Sequence, residues 1–399
     1  MKNILILDTG KEWGGGTNSL LELLRRIDKK KYNFTALFYY NYPMSEMSDI
    51  KTEIEKLGIN FILFKRTGQP IYIKILKEIG RAVLFFNRRL RKLYIFWIDY
   101  LFRIKKDAEG LTKLLNDLSI DVLYMNNQPS SNLEGIIAAK NTGIKSLLHS
   151  RIETELNYFE INIVNRWLTK MICNSEGVKN NFVKQGIEPS KCVVIYNGIA
   201  LGTKPHMPSH EIRKRWRLSN DDILIGTVGS LIKRKRNKDL IKAFFIVANR
   251  TEHPIKCMIV GEGPEKENLI SLVKKTNLTN KFIFTGFQDG ISYINAMDIF
   301  VLTSEKEGFS KVILEAMLMG KPVVSSDIIG PSELVVDKET GFLVTMGKIN
   351  MIANAILKLV NSDEMRRYIG GRARKRAIEN FSIERYVNQV SDVLAEVAG

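Results

Sequence analysis

Short apolar runs alternate with stretches of helical periodicity along most of the chain. The first run, Ile4–Leu7, leads through Gly14, Gly15 and Gly16 into leucines at helical spacing. Short apolar runs bounded by polar or glycine positions predict buried strands, whereas apolar positions three and four apart predict helices. Further runs lie at 34–40, 61–64, 121–125, 144–149, 171–175 and 193–196. Regular alternation of this kind is typical of a doubly wound α/β domain with a parallel sheet.

A second alternation begins at Ile223, after a stretch with linker composition. Residues 200–210 contain Gly202, Pro205 and Pro208, which favour turns over helices or strands. Later apolar runs lie at 257–260, 282–284, 299–302 and 323–324, and 349–380 has helical patterns. Because 399 residues exceed one ordinary core, we expect two domains, at 1–202 and 203–380, followed by an amphipathic helix over 381–399.

Glu307–Glu315 follows the buried run 299–302 and begins a helix. Val312, Ile313, Ala316 and Met317 mark one apolar face, and leucines fill the opposite one. The helix is therefore expected to be buried nearly all round. A buried carboxylate at Glu315 needs hydrogen-bond donors or a charge partner. Ligand hydroxyls and a core ion pair with Lys or Arg both satisfy this need, and the spacing leaves both open.

Two loops have the composition of anion sites. Gly14–Gly16 lies between a strand and a helix start, where glycines let backbone N–H groups approach a phosphate, although a tight turn also needs glycine. Lys233–Arg236 is a run of four cations that follows the strand end at Gly229. Such a run could hold a diphosphate or form a solvated loop.

His149 ends the run 144–149, at the carboxyl end of a predicted strand. Ligands of α/β sheets bind at these ends, but a lone histidine is also a common structural residue. Position alone does not separate the two interpretations.

The segment 71–106 is rich in both basic and aromatic residues. Its basic residues are Lys74, Lys77, Arg81, Arg88, Arg89, Arg91, Lys92, Arg103, Lys105 and Lys106. Charges interrupt its apolar stretch well short of the roughly 20 residues that a membrane span needs. The pattern favours a segment lying on an anionic lipid surface, the alternative being a solvated basic helix over an aromatic core contact. Nucleic acid is disfavoured because no helix-turn-helix, RNP or zinc-finger pattern is present.

The whole chain carries a strong positive net charge. The formal net charge is +17 and the pI is about 9.6, which favours an anionic partner or substrate. Cys173, Cys192 and Cys257 are odd in number and lack CxxC spacing, so a disulfide framework, a zinc site and an oxidising compartment are disfavoured. The amino terminus runs directly into the first strand, unlike a signal peptide. We therefore expect a cytoplasmic protein.

Taken together, these motifs resemble the family-4 glycosyltransferases of the GT-B fold, most strongly from Met171 to Thr345. The most specific match is Glu-x7-Glu at Glu307 and Glu315. The supporting matches are Cys173-Asn174-Ser175, Tyr196-Asn197-Gly198-Ile199, Gly261-Glu262-Gly263-Pro264 and Gly320-Lys321-Pro322. The resemblance implies two Rossmann-like domains facing across a cleft, with the second binding a nucleotide-sugar and the helix over 381–399 returning to the first.

The resemblance also implies roles for individual residues. Glu315 would bind the ribose hydroxyls and Glu307 the donor sugar, and Lys235 would contact phosphate. The family's arginine after the glycine is replaced by Ser230, so Arg234 or Arg236 is expected to substitute. His149 would contact the transferred sugar. The remaining donor-side positions are Gly15, Gly16, Asn197, Gly229, Gly263, Phe287, Gly308, Phe309, Ser310 and Val312.

The implied activity is transfer of a hexose or N-acetylhexosamine, with retention of configuration, from a nucleoside diphosphate sugar. UDP is the expected nucleotide, and the acceptor would be a glycan or a lipid-linked sugar of surface polysaccharide biosynthesis at the inner face of the membrane. No Asp-x-Asp pair is present, so neither a metal nor another cofactor is expected. The alternatives are a nucleotide-sugar 2-epimerase of the same fold and an inactive membrane-associated scaffold.

Overall fold

The chain folds into two compact units, described here from a computed structural model over residues 1–11, 14–45 and 48–399, without the side chains of Met44 and Ser45. The units are Met1–Tyr196 together with Tyr386–Gly399, and Asn197–Arg385. The linker composition had predicted a limit at 202/203, and the last amphipathic helix one at 380/381. The second unit begins before the linker because Ile199 pairs with the backbone near its end: the Ile199 N–H donates to the Phe381 carbonyl at 2.9 Å, and the Ile199 carbonyl accepts from the Ile383 N–H at 3.0 Å.

In its described part, the first unit contains a seven-stranded sheet of order β5-β2-β1-β6-β7-β8-β9. The paired strands run parallel, and the central ones are apolar and buried, as expected when helices cover both faces. A separate antiparallel pair is formed by β3 and β4. The strands are β1 (Lys2–Asp8), β2 (Tyr32–Phe38), β3 (Pro43–Ser45), β4 (Ser48–Asp49), β5 (Asn60–Leu63), β6 (Val122–Met125), β7 (Lys145–Ser150), β8 (Lys170–Cys173) and β9 (Cys192–Val194).

Helices connect these strands. They are α1 (Gly15–Arg26), α2 (Ile50–Glu55), α3 (Ile71–Val83), α4 (Arg88–Asp99), α5 (Lys105–Asp117), α6 (Leu133–Thr142), α7 (Tyr158–Trp167) and α8 (Glu176–Lys184), with a π-helical turn at Tyr100–Ile104. Ser175 caps α8 as its sequence position predicts, since its Oγ accepts from the Val178 N–H at 3.2 Å. Among the residues described, every helix is too short or too polar to cross a bilayer.

The second unit contains a six-stranded parallel sheet over its described residues, of order β12-β11-β10-β13-β14-β15. Its strands are β10 (Ile223–Val228), β11 (Ile255–Val260), β12 (Phe282–Gly286), β13 (Ile299–Leu302), β14 (Val323–Ser326) and β15 (Gly341–Val344). The apolar pattern did not predict β15. A Cβ on Gly341 would lie 2.5 Å from the Val323 carbonyl oxygen, so this edge strand must begin with glycine. Glycine is not one of the apolar residues from which the strands were predicted.

Helices pack on this second sheet and extend to the carboxyl terminus. They are α9 (Ser209–Arg215), α10 (Asn237–Ala248), α11 (Lys266–Lys274), α12 (Gly290–Ala296), α13 (Lys311–Leu318), α14 (Pro331–Leu334), α15 (Ile349–Val360), α16 (Asp363–Asn380) and α17 (Ile383–Ala398). The core beneath α10 and α15 includes Phe244, Ile259 and Ile356. From Tyr386 onward α17 belongs to the first unit, where Lys170 Nζ lies 2.9 Å from Glu396 Oε1.

Candidate functional site

In the second unit, the loops after β10 and β11 are joined by backbone hydrogen bonds. The Gly229 N–H donates to the Val260 carbonyl at 2.9 Å, and the Leu231 N–H donates to the Glu262 carbonyl at 2.8 Å. Gly263 has φ +155°, and a Cβ there would lie 2.5 Å from the Leu231 carbonyl oxygen. The close approach of the two loops therefore requires glycine at 263.

The basic run lies at the carboxyl ends of β10 and β13, which are neighbours in the sheet. Lys233–Lys235 forms a 3₁₀ turn. Thr303, directly after β13, donates from Oγ1 to the carbonyls of Lys235 and Arg236, both at 3.0 Å. The Glu305 N–H donates to the Arg234 carbonyl at 3.0 Å. These bonds hold the basic turn against the loop that carries Glu307.

Two of the four cations meet Glu307. Lys235 Nζ lies 2.6 Å from Glu307 Oε1, and Arg234 Nη1 lies 3.7 Å from the same oxygen. We call these three residues the Glu307 cluster. A Cβ on Gly229 would lie 3.9 Å from Lys235 Nζ, so the glycine loop borders the cluster. Arg236 faces elsewhere, with Nε 2.7 Å from Asp239 Oδ2.

The loop from Gly308 to Ser310 leads into α13. Ser310 is the N-cap residue, and its buried Oγ has no hydrogen-bond partner among the described residues. Val312 is half-buried in the first turn. Gly330, at φ +87°, lies close under this loop, because a Cβ there would lie 2.6 Å from the Gly308 carbonyl oxygen and 3.2 Å from Phe309 Cα. The positive end of the helix and an unpaired hydroxyl are therefore available to an anion or a sugar hydroxyl.

Glu315 is buried in α13, as the apolar pattern predicted. Its Oε1 lies 3.5 Å from Nζ of Lys311, one turn earlier in the same helix. Burial raises the pKa of Glu315 above its ordinary value, while Lys311 lowers it. Among the described residues, the ion-pair partner is thus a partly exposed lysine of the same helix, 40% accessible, and not a cation from another core element. A Cβ on Gly290 would lie 4.0 Å from Glu315 Oε2 and 3.2 Å from Val228, so the carboxylate faces the end of β10.

Three further expected positions lie outside the Glu307 cluster. Ser230 is exposed in the loop after β10. Phe287 is 83% exposed after β12. Asn197 is buried where the chain enters the second unit, beside Gly198. A Cβ on Gly198 would lie 2.5 Å from the Ser382 carbonyl oxygen, so the close backbone approach at 197–199 explains this glycine.

In the first unit, His149 is fully buried at the end of β7. Its Nδ1 lies 2.7 Å from the Tyr124 hydroxyl, and its Nε2 has no hydrogen-bond partner among the described residues. Burial and, to a smaller extent, the charge of Arg151 hold the pKa of His149 well below its ordinary value. The imidazole is therefore neutral at physiological pH, with one ring nitrogen held by Tyr124.

Beside His149 lies a chain of hydrogen-bonded polar residues that the sequence motifs did not predict. Asp8 Oδ2 accepts from Asn126 Nδ2 at 2.6 Å, and Asn126 Oδ1 accepts from Arg151 Nη2 at 2.7 Å. Arg151 Nη2 also lies 3.4 Å from the Tyr386 hydroxyl. Burial raises the pKa of Asp8, against the hydrogen bonds that lower it. A sequence signal exists, because these polar residues lie at the carboxyl ends of the adjacent strands β1, β6 and β7.

The glycine loop of the first unit borders this chain. Gly15 and Gly16 begin α1, and a Cβ on Gly16 would lie 3.6 Å from Arg151 Cγ, whereas one on Gly15 would meet open space. A helix N-terminus beside a guanidinium can attract an anion. The structure therefore brings Gly16 close to Arg151, which directly follows β7, the strand that carries His149.

Two protein families match the sequence. Residues 13–202 match the family described as Glycosyltransferase Family 4, and residues 208–376 match Glycosyl transferases group 1. The two matches cover most of both units and include the Glu307 cluster, Glu315, Gly15, Gly16 and His149.

Three named relatives are similar to between half and four fifths of the chain. N-acetyl-alpha-D-glucosaminyl L-malate synthase of Bacillus anthracis is 30% identical over 53% of this chain and 55% of its own length. The capsular polysaccharide biosynthesis glycosyltransferase CapM of Staphylococcus aureus is 29% identical over 73% of this chain and 83% of its own length. UDP-Gal:alpha-D-GlcNAc-diphosphoundecaprenol alpha-1,3-galactosyltransferase of Escherichia coli is 25% identical over 81% of this chain and 88% of its own length. The chain thus spans just over half of the first relative and most of the other two.

A solved structure agrees with the fold. Anabaena HepE in complex with UDP superposes with a TM-score of 0.76 at 23% identity, covering 99% of this chain and 100% of that one. This likeness supports the two parallel-sheet units described above.

Proposed function

The chain belongs to the family-4 glycosyltransferases of the GT-B fold, and from this premise we propose its reaction. The proposed reaction transfers a hexose or N-acetylhexosamine from a UDP-sugar, with retention of configuration, to a glycan or lipid-linked acceptor of surface polysaccharide biosynthesis. The observation that carries this proposal is the Glu307 cluster beside the amino terminus of α13.

The cluster suits a diphosphate leaving group. Lys235 and Arg234 are two cations on one turn, within 2.6 and 3.7 Å of Glu307. When the bond between the sugar C1 and the diphosphate oxygen breaks, negative charge develops on that oxygen. Fixed cations and a helix N-terminus can stabilise this charge without reorganising. Glu307 would keep both cations in place and accept from a hydroxyl of the donor sugar.

Glu315 suits the ribose. Its carboxylate is buried, paired with Lys311 of the same helix, and has a raised pKa. Two adjacent ribose hydroxyls could donate to its oxygens and lower the cost of the buried charge. Ser310, with its unpaired Oγ, would accept from or donate to a sugar hydroxyl or a diphosphate oxygen.

Retention is proposed to proceed at the front face of the sugar. The acceptor oxygen forms the new bond to C1 on the side from which the diphosphate leaves, and the acceptor proton passes to the departing diphosphate oxygen. No protein carboxylate acts as a nucleophile in this step. We also propose that the cations of the chain perform the charge neutralisation that a metal performs in other enzymes. The neutral imidazole of His149 would then hydrogen bond to the transferred sugar through Nε2.

The choice of donor and acceptor class draws on the relatives. The E. coli relative is named for a UDP-galactose donor and a diphosphoundecaprenol-linked acceptor, and the S. aureus relative for capsular polysaccharide biosynthesis. For a lipid-linked acceptor of this kind, we propose a peripheral location on the inner face of the membrane.

A donor panel tests the proposal. The full chain is incubated with UDP- and GDP-sugars and a lipid diphosphate-linked acceptor, with and without EDTA, and products are identified by mass spectrometry. We expect transfer from a UDP-sugar in both conditions, an unchanged anomeric configuration by NMR, and loss of transfer in Glu307→Ala. An inverted product would refute the front-face step. Isomerised sugar in the absence of acceptor would identify an epimerase instead, and transfer by Glu307→Ala would refute the assigned site.

A further inference from the structure

Helix α3 is fixed in the first unit by a narrow face. Gly80 lies directly under the ring of Tyr94 in α4, because a Cβ there would lie 2.0 Å from Tyr94 Cε1. The Tyr94 hydroxyl donates to the Leu76 carbonyl at 3.1 Å. Ile73 is buried on the same side as Gly80. The contact with α4 therefore determines which face of α3 points outward.

The outward face of α3 is apolar. Ile71 and Val83, at its two ends, are 76% and 61% exposed. The exposed apolar side chains between them are Tyr72, Ile75, Leu76 and Ile79. At about 100° per residue they fall within an arc of roughly 140°. An apolar surface of this width on a helix is uncommon on monomeric soluble proteins and marks an interaction site.

The apolar surface continues into the turn between α3 and α4. Phe85 and Phe86 are 75% and 69% exposed and contact each other edge to face at 6.0 Å. Asn87 then caps α4 by accepting from the backbone N–H of Arg89 and Leu90. Two bulky aromatic side chains thus project from the tip of a helical hairpin, with basic residues at the next turn.

The charge on this hairpin indicates what covers it. The segment 71–106, which contains this hairpin, has ten basic side chains against two acidic ones, Glu78 and Asp99. Arg88 and Lys92 also form ion pairs with Glu155, outside the segment. Lys77 is ion-paired with Asp99, whereas Lys74 and Arg89 are exposed and make no ion pair within the described part of the chain. A second copy would bring like charges together at this face. An anionic bilayer offers both an acyl region for the apolar face and phosphates for the cations.

We propose that the hairpin Ile71–Arg89 docks on an anionic lipid bilayer. The apolar face of α3 and the Phe85–Phe86 tip enter the boundary between headgroups and acyl chains, and Lys74 and Arg89 bind lipid phosphates. The docking itself is independent of the reaction. Only one consequence of docking rests on the proposed function, namely that it brings the enzyme to a lipid-linked acceptor.

Vesicle flotation of the full chain tests this surface. We expect flotation with vesicles of phosphatidylcholine and phosphatidylglycerol, and none with phosphatidylcholine alone. The double variant Phe85→Ser/Phe86→Ser should stay at the bottom of the gradient. Phe245→Ser, an exposed phenylalanine on α10, is the matched control and should float like the wild type. Lys74→Gln/Arg89→Gln should lower the partition constant about 30-fold, at about 1 kcal/mol for each basic residue.

Three results would overturn the proposal: no flotation of the wild type with either vesicle, equal flotation of the Phe85→Ser/Phe86→Ser variant, or a dimer in sedimentation that this variant converts to monomer. The last would identify the face as an interface between copies. Transfer to a water-soluble acceptor is measured on the same samples. The hairpin variants should retain it, so a failure of docking is distinguished from a failure of the proposed reaction.

Discussion

Arg234 and Arg236 offer a sharp test of the donor site. This chain has Ser230 at the position of the family's phosphate-binding arginine, and either of the two arginines could take over that role. The perturbation is glutamine at each position in turn. Arg234 Nη1 lies 3.7 Å from Glu307, in the Glu307 cluster, whereas Arg236 Nε lies 2.7 Å from Asp239. We therefore expect Arg234 to serve the diphosphate and Arg236 to serve the fold.

The magnitudes follow from these contacts. A hydrogen bond to a charged group contributes about 1.5–3 kcal/mol, so Arg234→Gln should lower kcat/KM by about 10- to 150-fold. Arg234 is 37% exposed, so its loss should change the free energy of unfolding by less than about 1 kcal/mol. Arg236→Gln leaves the buried carboxylate of Asp239, 4% exposed, without its cation. That should cost about 2 kcal/mol and lower Tm by about 4–8 °C, with kcat/KM within about 3-fold of wild type.

The assay combines steady-state transfer from the UDP-sugar with thermal unfolding of each variant. The two arginines should show opposite patterns, so each variant is the control for the other. If Arg236→Gln loses as much kcat/KM as Arg234→Gln while keeping its Tm, the assignment drawn from the two ion pairs is wrong.

Three further outcomes are expected. Because burial raises the pKa of Glu315 above 4.5, the wild type should lose unfolding free energy in urea as the pH rises from 4.5 through the raised pKa, and Glu315→Gln should lack this loss. Because the pKa of His149 lies well below 6.5, the free energy of unfolding should decrease as the pH falls below 6.5, and it should decrease less in His149→Gln. The pH profile of kcat/KM should show no titration at 6.5. Gly330→Ala, at φ +87° and against the Gly308 carbonyl, should cost about 1–3 kcal/mol in thermal unfolding and lower kcat/KM, whereas Gly202→Ala, with open space around it, should do neither.

The apolar pattern predicted most of the two sheets and the helices around the candidate sites. The runs at 4–7, 223–226 and 299–302 lie within strands, and the run at 121–125 contains β6, which begins at Val122. Helix α8 begins after Ser175, the capping residue that the sequence indicated. These features depend on neighbours along the chain, which a sequence displays directly. The edge strand β15 was missed because it is short and begins with glycine. Its pairing with β14 is a tertiary contact that the sequence pattern does not display.

The Glu-x7-Glu motif and its buried helix were likewise evident from the sequence alone. Only the tertiary structure decided which cation reaches Glu307, which residue pairs with Glu315, and how Asp8, Asn126 and Arg151 form one chain beside His149. It also decided that the wide apolar face of α3 points outward, through the contact between Gly80 and Tyr94. Side-chain direction is set by packing between elements distant in the sequence, and spacing along the chain carries little information about it.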